Sequence, residues 1–311
     1  MPLFLIFLAY SLLFTIFFST FATGYIIYYI IDKKNSYCKL PRKIFYILFS
    51  VIFLCSACEL KLKPYDDNDE YSLIEVSRYD RLESRYLTTG DFSALQQMNM
   101  DYPIETRTLV EKMLRLGEVS DPDISTRFLR FYQDSVLQTL IADVEAEYAN
   151  MNDINTRFRK SFDNLTELLP NLPVPNIYAQ IGALDQSIVI GEKMIGISLD
   201  KYMGADYPLY QKYYTADQRK SMTRKYIVPE SLAFYLLSIY PMDNYDSRTQ
   251  IEKDLHMGKV MWVVNKALGE TFFDTPYVHA VGRYVQKHRL EVSDLLADDD
   301  YSHFPTVRGG K

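Results

Sequence analysis

From Glu59 to the C-terminus the sequence has no cysteine, which excludes a disulfide framework or a thiolate metal site over most of its length. All three cysteines, Cys38, Cys55 and Cys58, lie in the first 58 residues. Histidine is nearly as scarce, with four residues, and tryptophan occurs once, at Trp262. Twelve glycines and 13 prolines in 311 residues exclude a collagen-like or low-complexity chain. Positive charge is also lacking where nucleic-acid binding would need it. Residues 1–58 hold one acid, Asp32, and five bases, Lys33, Lys34, Lys39, Arg42 and Lys43. That +4 leaves −10 on the remainder of a chain whose net charge is −6. An acidic body lacks the basic footprint of a nucleic-acid binder, so no nucleic-acid partner is expected.

What is present begins with two apolar runs. Leu3–Ile31 carries no charge and is long enough for a membrane span of roughly 20 residues. Ile44–Leu54 is shorter and has the length of a signal-peptide core. Lys39, Arg42 and Lys43 precede it, and Ser56-Ala57-Cys58 closes it with small residues. This pattern resembles a bacterial lipobox, with Cys58 as the lipidated first residue of the mature protein; the place three before it holds Cys55, where leucine is usual. Cys55-x-x-Cys58 also has redox spacing, but a redox pair needs a folded strand–helix junction around it. The first run has two readings: translation starts near Leu40, or residues 1–38 form an extra span with the basic loop inside. Both place the body outside the cytoplasm, anchored to a membrane of the cell envelope.

The expected organisation is an extra apolar segment at 1–38, a lipoprotein signal at 39–58, an acidic tether at 59–70, one domain at 71–295 and a frayed tail at 296–311. Ile74–Tyr79 alternates and predicts a short first strand. Asp91–Leu169 has helical spacing, interrupted by the cap-rich Asp121–Ser125. The breaker cluster Pro170–Pro175 precedes three strand-like runs, Asn176–Gly182, Ser187–Ile190 and Lys193–Leu199, the last two joined by a tight turn at Gly191-Glu192. Pro229 suits the first turn of a helix running to Tyr240, which is apolar nearly all round and so expected to be buried. Further helices are predicted from Asp246 or Ser247 to about Leu268, and from Tyr277 to Val285 or His288. The fold class is mainly α with a small β-sheet (α+β).

Three blocks carry a family resemblance. Ile197–Gly204, with its Leu-Asp-Lys-Tyr-x-Gly pattern, and the following Tyr207–Tyr210 resemble the gliding-motility lipoprotein GldB family. Met222–Glu230 and Leu255–Lys259 resemble two further blocks of that family. The resemblance spans roughly Glu70–Leu268, and the family's C-terminal Pro-Gly-Arg and Trp-Gly pieces have no counterpart here. It implies a lipid-anchored envelope protein with envelope protein partners, tied to gliding motility and its secretion machinery. It also implies a layout similar to a degenerate zincin.

The chemistry such a layout would need is missing. A zincin carries H-E-x-x-H on its central helix, and Glu230–Tyr240 has no histidine. Glu252 and His256, four apart, could join Glu230 in a divergent metallohydrolase, but they read more simply as a surface pair on a helix. Gly258-Lys259 lacks the rest of a phosphate loop, and neither a dinucleotide fingerprint nor a nucleophile elbow occurs. No catalytic set, metal ligand set or cofactor is predicted. The expected functional surface is Leu199, Asp200, Lys201, Tyr202, Gly204, Pro229, Glu230, Gly258 and Lys259, with lipidation at Cys58. A third reading places sugar or peptide on a concave aromatic surface made by Tyr202, Tyr207, Tyr210, Tyr213, Tyr214 and Tyr226.

Overall fold

The computed structural model describes residues 74–304. The two apolar runs, the lipobox at Cys58 and the acidic tether lie outside the described residues. Among the described residues no helix is long and apolar enough to cross a membrane.

The first half is helical. Tyr79–Thr89 (α1), Phe92–Asp101 (α2) and Pro103–Arg107 (α3) follow in close succession, and α3 widens into a π-helical turn at Thr108–Met113. After the Asp121–Ser125 break come Ile124–Phe131 (α4), Ser135–Glu147 (α5) and Asn152–Leu168 (α6). Asp91 caps α2 and Asp134 caps α5, each accepting main-chain N–H bonds that the first turn leaves unpaired. α1 is an element the sequence reading did not place.

The sheet has three strands, Asn176–Gln180 (β1), Ile188–Gly191 (β2) and Met194–Ser198 (β3), in the order β1-β3-β2. β3 is central and buried along its whole length, parallel to β1 and antiparallel to β2. The expected first strand is reduced to one parallel bridge, Ser77 against Tyr178. Two backbone bonds make it, Ser77 N–H to Ile177 O and Ala179 N–H to Ser77 O. Val76 N–H turns instead to Asn155 Oδ1, and Tyr79 already starts α1, so no ladder can form. The turn between β2 and β3 is Glu192-Lys193, one residue later than expected, with Lys193 at φ 55°.

Short helices Pro208–Tyr213 (α7) and Ala216–Arg219 (α8) lead to Ile227–Ile239 (α9). Next are Gln250–Leu268 (α10), Pro276–His288 (α11) and Val292–Ala297 (α12). α10 begins later than expected because a reciprocal capping box, Thr249 with Glu252, fixes its start. Residues 245–247 form a separate 3₁₀ turn. The core is one cluster joining the helices to the sheet: α10 packs on α6, α9, α11 and α12, while α9 lies against β2 and β3.

Two expectations need correction. The residues after Ala297 are not frayed through Phe304. Asp298–Phe304 fold back with a 3₁₀ turn at Tyr301–His303, and both Tyr301 and Phe304 are buried. Nor is α9 buried all round: Phe234 is 44% exposed because its face of the helix opens on a cleft, and Ile239, at the helix end, is 39% exposed.

Candidate functional site

The loop after β3 is tied down by backbone groups 16 to 18 residues away in the sequence. Leu199–Lys201 is a 3₁₀ turn running straight off the strand. Asp200 is fully buried beneath it. Its Oδ1 accepts from Gly182 N at 2.7 Å and its Oδ2 from Leu184 N at 2.5 Å. Burial pushes this carboxyl above its usual range, against the pull of those two amides and of Lys201. The turn so held is strained, with Ala183 and Leu184 both at positive φ, 51° and 64°. Gly204 has φ 114°, a conformation open to glycine, and its N–H donates to Met222 O. Met203 pairs with Thr223 beside it, so the segment leading to α9 is fixed to the loop.

Three of the expected residues meet at one place. Tyr202 donates its hydroxyl to Glu230 Oε2 at 2.7 Å, joining the loop to the first turn of α9. Lys201 Nζ donates to Leu184 O and to Tyr214 Oη, and lies 4.6 Å from the centre of the Tyr214 ring. Burial raises the Glu230 carboxyl, while Tyr202, Ser221 and Lys201 oppose the shift. These groups line a cleft of about 420 Å³ whose floor is apolar: Phe234, Leu237, Met257, Met261 and Phe273. Phe234 follows Glu230 by one helical turn, and Met257 and Met261 are one turn apart on α10, so each pair shares a face. This floor was missed in the sequence because its residues read as core; only the i, i+4 spacing of the Met pair marked a common face.

The other expected residues have structural settings. Leu199 and Pro229 are buried. Gly258 lets α10 approach α11, since a methyl there would come within 2.9 Å of Tyr277 Cβ. Lys259 is completely buried: its Nζ donates to Asp298 O at 2.5 Å and lies 4.3 Å from the Tyr301 ring centre and 5.2 Å from that of Phe304. Burial lowers its pKa, opposed by Asp298, Asp299 and Asp300.

The metallohydrolase set does not assemble. Glu252 accepts from Thr249 and pairs with Arg248, and His256 Nδ1 contacts Tyr301 Oη at 2.9 Å. Among the described residues no three His, Cys, Asp or Glu side chains are grouped to hold a metal. The aromatic surface is also corrected. Tyr202 and Tyr210 are buried, their hydroxyls donating to Glu230 and to Asp200 O, and the partly buried Tyr207 donates to Asp143 Oδ2, which leaves Tyr213 as the exposed ring of the set. Desolvation there favours tyrosines whose hydroxyls find internal partners over rings presented to a ligand.

A larger, shallower groove of about 940 Å³ runs between α10 and α11, lined by Trp262, Lys266, His279 and Arg283 among others. It receives none of the expected residues, and Lys266 and His279 already face Trp262 and Asp274.

The geometry thus brings together the Leu-Asp-Lys-Tyr-x-Gly loop and the start of the helix after Met222, the two blocks that carried the resemblance. The family model described as gliding motility protein GldB matches residues 64–274. The chain belongs to the GldB family. Membership associates it with gliding motility and with the cell envelope. The match covers the cleft and ends before α11, α12 and the returning segment Asp298–Phe304. No curated protein and no solved structure matches the chain.

Proposed function

We propose that this GldB-family chain is a non-catalytic, lipid-anchored envelope protein that supports a motility- or secretion-type assembly, with the Lys201–Glu230 cleft as its docking site. The observation that carries the reading is the cleft itself. Its polar groups hold the loop and helix together, and its exposed surface is the apolar floor around Phe234. Met-rich apolar floors adapt to a partner's side chains, whereas hydrolysis needs a positioned nucleophile or metal. Lipidation at Cys58 would hold the domain at the membrane through the acidic stretch that follows.

Chemical cross-linking in native envelopes, followed by purification and mass spectrometry, tests it. The reading expects envelope components recovered in fixed proportion, lost with Phe234→Glu, and release from the membrane with Cys58→Ser. Recovery of the protein alone, or of the same components with Phe234→Glu, overturns docking at the cleft. Unchanged acylation and retention in Cys58→Ser overturns the anchor.

A further inference from the structure

We propose that the outer edge of β2 and the adjoining cleft form one docking site for an extended segment of a partner polypeptide, bearing a carboxylate two residues from an apolar side chain. The proposal rests on the docking reading above and names the partner's conformation and chemistry.

Among the described residues β2 is the outermost strand on its side of the sheet, whereas the opposite edge, at β1, is partly covered by Ser77. In an antiparallel pair, hydrogen-bonded and non-bonded positions alternate. Ser198 N–H donates to Ser187 O, and the register places Val189 opposite Gly196 and Gly191 opposite Met194. These positions face β3. The N–H and C=O of Ile188 and Ile190 therefore face outward, and neither residue's main chain bonds to another element among the described residues. An added strand satisfies such a row; a helix or a small apolar ligand does not.

The cleft begins where β2 begins. Ser187 lines it, and Lys201 reaches Leu184 O just upstream. α9, which supplies Phe234 and Leu237 to the floor, packs against β2. In an extended segment every second side chain shares a face. One such side chain enters the floor, and the next on that face reaches Lys201. Lys201 forms no salt bridge among the described residues, and the Glu230 carboxylate in the same cleft is engaged by the Tyr202 hydroxyl, so a partner carboxylate is the counterpart left for its charge.

Neither end of the described residues lies at this site. The segment from Ile74 to Ser77 runs outside β1, at the far edge, about four strand spacings or ~19 Å from an added strand at β2. Phe304 packs on Tyr284 and over Lys259. Lys259 points away from the Met257 and Met261 face of α10, because helix positions two apart lie on nearly opposite sides.

The test pans a phage-displayed library of random dodecapeptides against the full-length protein in detergent micelles, then measures the enriched peptides by fluorescence polarisation. The enriched set is expected to alternate apolar and polar residues, with Asp or Glu two positions from Leu, Ile or Phe. Ile190→Pro removes one outward N–H and leaves the β2–β3 ladder intact; it should weaken binding about five- to tenfold, the size of one lost hydrogen bond. Lys201→Gln should weaken binding of the acidic peptides severalfold. N-methylation of the peptide at alternate amides tests the same bonds without altering the protein. The proposal is overturned if no peptide is enriched, if the enriched peptides show helical spacing, or if N-methylation and Ile190→Pro are both without effect. If those strand tests fail while Phe234→Glu still abolishes the envelope cross-links, docking at the cleft stands and strand addition falls.

Discussion

Two lysines of this molecule sit over tyrosine rings at similar distance, 4.6 Å for Lys201 on Tyr214 and 4.3 Å for Lys259 on Tyr301. Both also donate to a backbone carbonyl, Leu184 O and Asp298 O. The difference is what covers them. Lys259 is sealed by the chain's own return, Asp298–Phe304, with three acidic residues of that segment favouring its charge. Lys201 opens on a cleft that no described segment fills. The same local chemistry is thus a fastening in one region and an accessible feature in the other. A short motif names residue types, and only the path of the remaining chain decides which role they take.

Removing each lysine is the sharpest way to break the comparison. Lys259→Ala should cost about 2–4 kcal/mol, since it leaves Asp298 O unpaired and a cavity under two aromatic rings. The returning segment should then become a site of rapid proteolysis. Lys201→Ala should cost about 1 kcal/mol or less, because the partners it leaves, Leu184 O and the Tyr214 hydroxyl, border an open cleft and can turn to water. Urea denaturation of both variants checks this, and equal losses would erase the distinction. Beneath the cleft, Asp200→Asn replaces an oxygen acceptor by a donor facing a backbone N–H. About 1–3 kcal/mol of destabilisation is expected, with faster amide exchange at Gly182 and Leu184.

The comparison also explains what could be read in advance. The three strands, α6, α9 and α11 were legible because periodicity and breakers agree there: Pro170–Pro175 separates period 3.6 from period 2, and Thr275 with Pro276 opens α11. Joining Lys201, Tyr202 and Glu230 followed from recognised blocks, not from spacing. α1 was hidden because its stretch mixes Asp, Arg, Glu and Tyr, and its interior face buries Asp80, Glu83 and Ser84. Hydropathy assigns such residues to the surface. The return of Asp298–Phe304 was hidden for the same reason: Asp298-Asp-Asp300 looks solvated, and what secures it is a lysine 39 residues upstream. Polar burial depends on partners distant in sequence, which a local pattern does not contain.

Glu83 extends the contrast to pH. It is fully buried; Oε2 accepts from Ile181 N at 2.8 Å, and Oε1 makes no hydrogen bond among the described residues. Asp80 and Asp200 are the charged groups that raise it further, and the Tyr79 and Tyr132 phenols lie nearby. Burial holds its pKa well above the ordinary carboxyl value, so the folded state binds its proton more tightly than the unfolded state. Its contribution to stability is therefore complete below about pH 4.3, the unfolded value, and is lost as pH rises through the folded value. Glu83→Gln should remove that dependence: between pH 5 and 8 the variant should lose less stability than the parent. A parallel fall in both would show that another group is responsible.

The smallest expected effect on folding is also the one that separates cleft from fastening most cleanly. Phe234 is 44% exposed, so Phe234→Ser removes apolar surface of which folding leaves nearly half in water. Its stability change should stay within about 1 kcal/mol, well below that of Lys259→Ala. If the exposed floor exists for a partner, the same change should reduce the cross-linked envelope components several-fold while the denaturation midpoint barely moves. The opposite result, a large loss of stability with cross-linking intact, would mean that Phe234 is an edge of the core. The cleft would then be a gap in packing, and the two lysines would differ only in how tightly the chain closes over them.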